Sequence, residues 1–419
     1  MKKLIVISIM IAVVALEGCA GKSPVAPSQP AVTASVELSA GYGRLSTDPG
    51  QIDSDLVNRA AWEVFGKVSQ ADQDNQLFSP LSVAYCLGML ANGMRGQTKA
   101  QFEALYGEVA TLNRALYALA KTFEAGDGFK VELADSIWIN EASGLVADPA
   151  FLQANADWYA AQVYSSAFDA GTRDDINAWV SKHTDGMIPK LLDDPPSKDT
   201  VMYLINTLLF DCQWLEEYQD SQVRDREFTN YDGSKSTVKM MYSSESSYLA
   251  DSQAQGFVKL YKGGYRFVGL LPNEGVDVYE YARSMTNAKW QALWNSRDGY
   301  EVSAGIPEFE YDTSMNLVPV MQALGLTDMF NADLADLHGI GSIPTEVDYN
   351  LYVSLMLQKA KIQVTPKGTK AAAATVIGIE KATSVGPSMH KTVILDRPFV
   401  YLITDRAGNI LFVGVVSKL

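Results

Sequence analysis

The chain has 419 residues, 47% of them hydrophobic and 20% charged, the balance of a globular protein long enough for one large domain or two medium ones. Its formal net charge of −15 argues against an electrostatic grip on nucleic acid or an anionic membrane surface, because both need clustered Lys and Arg and no such run occurs.

At the N-terminus Lys2 and Lys3 precede an apolar stretch from Leu4 to Leu16, too short to span a membrane as a helix and of the right length for a secretory signal core. It ends in Leu16-Glu17-Gly18-Cys19, which resembles a bacterial lipobox, so Cys19 is the expected lipidation site and mature N-terminus. Glu17 departs from the small or apolar residue usual there, and an ordinary cleaved signal peptide is the alternative. Residues 20–50 are rich in Gly, Pro, Ser, Ala and Thr, with few large apolar side chains to offset ordering entropy, and read as a flexible tether. Ala20, rather than Asp, follows the cysteine, which points to an outer-membrane or cell-surface address. Cys86 and Cys212, the other two cysteines, lie in apolar runs and read as buried thiols.

The apolar spacing of Leu56, Val57, Ala60, Ala61, Val64, Phe65 and Val68 predicts a helix over 53–68. Ser79-Pro80 places a capping hydroxyl and an N1 proline at the start of a second helix, which Gly93 and Gly96 bring to an end near Asn92. A short helix follows over 98–106, then a strand over 131–140 and an amphipathic helix over 148–164. Strand patterns then dominate, at 201–210, 238–242, 257–260, 267–271, 362–365, 393–395, 399–404 and 410–416. Helices followed by many strands predict an α+β fold, in one domain over 51–419 with no internal linker.

Catalysis has little to stand on. The three histidines, His183, His338 and His390, are not in metal-ligand spacing, and neither a G-x-S-x-G elbow nor a phosphate-binding P-loop is present. No catalytic residue, metal or cofactor is expected.

Several blocks occur in an order that resembles the serpins. They are Asn75-Gln76-Leu77-Phe78-Ser79-Pro80-Leu81-Ser82-Val83, Ile176-Asn177-Ala178-Trp179-Val180, and Leu204 to Phe210 with Trp214. Lys239-Met240-Met241, Leu270-Leu271-Pro272, Ile306-Pro307-Glu308-Phe309, Leu324 to Phe330, Asp396-Arg397-Pro398-Phe399 and Ile410 to Gly414 follow. The resemblance covers residues 55–419 and implies helices packed around a large central sheet, with an exposed reactive loop at about 366–392. It implies a protease inhibitor, not an enzyme: a serine or cysteine protease cuts the loop, and the freed hinge inserts into the sheet before the acyl-enzyme can deacylate.

By that resemblance the hinge is Gly368, Thr369, Lys370, Ala371, Ala372, Ala373, Ala374 and Thr375. Strand period two puts Thr369, Ala371, Ala373 and Thr375 on one face, all small enough to enter between strands already packed together. Fourteen residues from Thr369 end at Ala382, which makes Ala382-Thr383 the expected cleaved bond, with Lys381 and Ser384 competing. Alanine there suits an elastase-like pocket and lysine a trypsin-like one. The family's shutter and breach positions fall on Ser79, Ser82, Asn206, Trp214, Gln358 and Lys359. Three positions depart from its pattern: Pro366 and Lys370 replace a frequent Glu, and Gln358 replaces a frequent His, so an amide is expected to bond near Asn206 and Ser82. The expected partners are elastase-like or trypsin-like proteases, with the membrane reached only through the N-terminal lipid, and the expected state is a monomer. The rival reading is a non-inhibitory relative acting as a binding module or chaperone, disfavoured by the uniformly small hinge; a passive adhesin leaves that hinge unexplained.

Overall fold

The computed structural model describes residues 3–15, 34–38, 42, 52–69, 74–344, 349–369 and 389–419. Along the chain these form β1 (Lys3–Ala15), β2 (Val36–Glu37), α1 (Ser54–Val68), β3 (Gln76–Phe78), α2 (Pro80–Ala91), α3 (Gly96–Tyr106), α4 (Val109–Ala120), β4 (Ala125–Gly126), β5 (Phe129–Asn140), β6 (Val146–Ala147), α5 (Pro149–Tyr159), β7 (Gln162–Ser166), α6 (Ala170–His183) and β8 (Thr200–Gln213). There follow β9 (Val223–Thr229), β10 (Lys235–Ala250), β11 (Ala254–Leu260), β12 (Arg266–Pro272), α7 (Val278–Ser284), α8 (Asn287–Asn295), β13 (Asp298–Pro307), β14 (Phe309–Asn316), α9 (Val318–Ala323), β15 (Gly341–Ser342), β16 (Tyr349–Val364), β17 (Gly368–Thr369), β18 (Met389–Ile394), β19 (Phe399–Thr404) and β20 (Ile410–Val416).

Local chemistry sets the helix ends. The Asp53 carboxylate caps α1 by accepting from the Leu56 amide, and the Ser79 hydroxyl caps α2 by accepting from Ser82, with Pro80 at the first turn. The helix expected over 148–164 is shorter. It closes at Ala160, whose φ of 50° breaks the helical path, and Gln162-Val163-Tyr164-Ser165-Ser166, with its β-branched Val163 and aromatic Tyr164, then pairs as β7 with β5.

Two large sheets enclose the core. One runs β14-β16-β1-β8-β5-β7-β2, with β17 added on β8 and β4 on β5. The other runs β18-β13-β10-β11-β12-β19-β20-β3, with β9 on β10. α2, buried along its whole length, lies in the main core beneath the first sheet. The opposite face of that sheet carries α6, whose Ile176, Trp179 and Val180 pack with Trp138, Tyr164, Tyr203 and Ile205.

The apolar N-terminal stretch, expected as a secretory signal core, takes a place within the first sheet. Lys3–Ala15 is a central strand, parallel to both β16 and β8. Ile7, Ile9 and Ile11 are fully buried in the main core, while Met10 and Ala12 join the cluster under α6. An uninterrupted run rich in β-branched residues is what a parallel strand covered on both faces needs, so one composition serves a signal core and a central strand alike. Part of the expected tether is also seated: β2 pairs with β7, and the Ala34 and Ser35 amides donate to Asp175 of α6 at 2.9 and 2.7 Å.

Candidate functional site

β16 leads directly into the hinge. After Val364 the chain turns at Pro366-Lys367 and returns as β17, antiparallel to β8, with Gly368 opposite Gln213 and Thr369 opposite Cys212. Gly368 adopts φ +115°, and a Cβ there would lie 2.2 Å from the Trp214 nitrogen, so glycine is required where the hinge first meets β8. Trp214 fastens the turn. Its indole donates to the Thr365 carbonyl at 2.9 Å, its amide donates to Lys367, and its ring stacks on Tyr261 at 4.1 Å. Pro366, which stands where the family often has Glu, still holds the turn through backbone: its carbonyl accepts from the Tyr218 amide at 2.9 Å.

A buried cation backs this corner. Lys259, only 3% exposed, lies 3.2 Å from Glu245 and over the rings of Trp214 and Tyr218. Burial raises the Glu245 pKa, with Lys259 opposing the shift. Lys359 is peripheral by comparison, 3.8 Å from Asp193 and partly exposed.

Midway down the sheet the shutter residues divide into two groups. Gln358 grips Ser79 twice: its Oε1 accepts from the Ser79 amide and its Nε2 donates to the Ser79 carbonyl, both at 3.1 Å. The Ser79 hydroxyl lies 2.9 Å from the Leu411 carbonyl and 3.1 Å from Ser82 Oγ. Asn206 belongs to the other group and donates to Asp135 Oδ1 at 2.9 Å. The Gln358 amide, expected to bond near Asn206 and Ser82, reaches the Ser82 side through Ser79 but not Asn206: Ile11 of β1 pairs with Gln358 on one side and Asn206 on the other, so a whole strand separates them.

Asp135 had not been anticipated. It lies on β5 in step with Val131, Ile137 and Ile139, so period two alone places it on the buried face. Burial pushes its pKa up to about 7, against the Asn206 amide that stabilises the charged form. Asp135 Oδ2 and Asn206 Oδ1 are both buried without a hydrogen-bond partner among the described residues. Cys86 lies in the same neighbourhood and Cys212 on β8; both are free and buried, and burial raises both thiols. The histidines are single and paired, His183 with Glu132, His338 with Asp336 and His390 with Ser303.

Other expected site residues fall outside the described residues: Cys19, the hinge positions Lys370, Ala371, Ala372, Ala373, Ala374 and Thr375, and the bond region Lys381, Ala382, Thr383 and Ser384.

Comparison with known proteins places this geometry. The model of the family described as serpin (serine protease inhibitor), inhibitors rather than enzymes, matches residues 55–419. Among similar proteins, Iripin-8 of Ixodes ricinus is 30% identical over 83% of this chain and 89% of its own length. The leukocyte elastase inhibitor of Equus caballus is 29% identical over 85% and 97%. Among solved structures, the thermophilic serpin tengpin in the native state superposes with a TM-score of 0.82 at 34% identity, covering 92% of this chain and all of that one. In the latent state tengpin gives 0.75 at 33%, covering 90% of this chain and all of that one. With the α+β architecture, the buried α2 beneath the first sheet and the hinge turn in place, the chain belongs to the serpin family.

Proposed function

We propose that this protein inhibits serine endopeptidases, and cysteine endopeptidases of like specificity, as a suicide substrate. The observation that carries the reading is the antiparallel pairing of Gly368 with Gln213 and Thr369 with Cys212. Each further loop residue moves one residue back along β8, so Lys370 falls opposite Asp211, Ala371 opposite Phe210 and Thr375 opposite Asn206. The same register brings Ala382 opposite Asp199, one residue beyond the first residue of β8. Insertion up to Ala382 therefore uses the full strand and no more. Ladder partners share a face, and Leu204, Leu208 and Phe210 lie in the main core. Ala371 and Ala373 would enter that core, while Lys370 would sit beside Asp211 on the opposite face.

The chemistry is supplied by the target. Its nucleophilic oxygen or sulfur attacks the Ala382 carbonyl, the bond to Thr383 breaks, and the new amine takes a proton while Ala382 remains as the acyl-enzyme. Fourteen inserted residues at roughly 3.3 Å each carry that acyl group about 45 Å, to the far end of the sheet. Elastase-like enzymes are the primary targets if Ala382 is cut and trypsin-like enzymes if Lys381 is; the similarity to leukocyte elastase inhibitors supports the first. The leader and lipobox support export and lipid anchoring at Cys19, with the serpin body held at the outer membrane or cell surface as a monomer.

The test mixes the chain beginning at Cys19 with an elastase-like and a trypsin-like protease. A complex that survives denaturation, with mass spectrometry of the released C-terminal peptide starting at Thr383, is the expected outcome; cleavage with no trapped enzyme contradicts inhibition.

A further inference from the structure

Beyond Thr369 the path that an inserting loop would follow along β8 is already occupied. Phe210, which would receive Ala371, is paired with Ala15 of β1. The overlap continues down the strand: Leu208 would take Ala373 and holds Val13, and Asn206 would take Thr375 and holds Ile11. Leu204 would take Ile377 and holds Ile9, and Met202 would take Ile379 and holds Ile7. The leader, running parallel where the loop would run antiparallel, brings isoleucines to the same two places.

The seat is well filled. β1 pairs with β16 from Tyr349 to Ile362 and with β8 from Thr200 to Phe210, and Ile7, Ile9 and Ile11 are 0% exposed. Thirteen residues at about 3.3 Å each reach nearly as far as the fourteen-residue insertion. Along β8, β17 is followed directly by the C-terminal end of β1: Thr369 pairs with Cys212, two residues beyond the Phe210 that meets Ala15.

We infer that the N-terminal leader is an internal occupant of the loop's slot, so that the precursor cannot trap a protease until Lys3–Ala15 is removed. The inference rests on the inhibitory reading above. Removal of the leader during export would vacate the space between β8 and β16, letting the sheet receive the hinge only outside the cell. The inhibitor is thereby silent towards proteases of the compartment in which it is made.

The test uses the full chain, synthesised without membranes so that the leader is retained. Hydrogen exchange of the unsubstituted chain should show amides of Lys3–Ala15 slowed at least about a hundredfold relative to an unstructured segment. Incubated with an elastase-like protease, this chain should be cut without forming a denaturation-resistant complex. Ile9→Asp, which puts a carboxylate into the core seat, should raise the yield of complex at least about tenfold; Met10→Lys, on the α6 side, provides a second route if the first variant misfolds. Rapid exchange of the leader, or trapping by the unsubstituted full chain as efficient as by Ile9→Asp, overturns the inference while leaving inhibition standing. A protected leader with no trapping by the folded variants, nor by the chain beginning at Cys19, overturns inhibition and the gating built on it.

Discussion

Burial strips Asp135 of water, and among the described residues only one of its oxygens has a hydrogen-bond partner, so the folded carboxyl keeps its proton to about pH 7 against an ordinary value of 3.8. The titratable groups around it, Tyr85, Cys86 and Tyr159, are themselves pushed upward by burial and stay neutral across this range. Because the folded state binds this proton more tightly than the unfolded chain, its contribution to stability is complete below about pH 4 and is lost as pH rises through about 7. Thermal melts should therefore show Asp135→Asn gaining stability relative to the parent at pH 8, on the order of 4 kcal/mol at most, and little at pH 4. Equal effects at both pH values would mean that the carboxyl titrates normally. Gln358 belongs to the same scale. Its two bonds to the Ser79 backbone predict a loss of about 1–3 kcal/mol for Gln358→Ala in denaturant unfolding, since a buried amide and carbonyl are left unsatisfied.

Among the elements, β17 is the smallest and the most consequential. Two residues fix the register of everything that would follow, and Thr369 is the first that would bury a side chain between strands if the loop inserts. Thr369→Arg is expected to turn the inhibitor into a substrate, with loop cleavage at an unchanged rate and trapped complex reduced by at least about tenfold, because an arginine in that place must be desolvated without a partner. Retained trapping would put the hinge elsewhere. Much at this scale was legible. The cap at Ser79-Pro80 and the strands 399–404 and 410–416 follow from short-range chemistry, and the structure has them as read. What the sequence hid was long-range. β13, β14 and most of β16 carry polar residues on their exposed positions, which dilute the apolar signal and let strands of this length pass unread. β1 was misleading for the opposite reason: a run apolar at nearly every position has no alternation to show which partner it wants, and only its place between β8 and β16 gives it one. Asp135 was hidden by convention, since a carboxylate inside a strand pattern is ordinarily assigned to the solvent face.

At the scale of the whole molecule, the proposed mechanism makes the first sheet an acceptor for one more strand once Lys3–Ala15 no longer lies between β8 and β16. β8 and β16 run parallel on either side of β1, the hinge starts at their shared end, and in the register of β17 an inserted Ala382 would fall at the other. A sheet that gains such a strand gains ladder hydrogen bonds on two sides, each contributing about 0.5–1.5 kcal/mol net, and buries the guest's inward face. Cleavage that releases the loop must then make the protein more stable, the reverse of what nicking does to an ordinary fold. The measurement is the melting temperature of the chain beginning at Cys19 before and after its loop is cut. A rise of roughly 10 °C or more upon cleavage is expected, since several kcal/mol spread over a chain of this size shifts the midpoint by a few degrees per kcal/mol. An unchanged or lowered midpoint, with the cut confirmed within Lys381 to Ser384, would contradict insertion and the inhibitory mechanism with it.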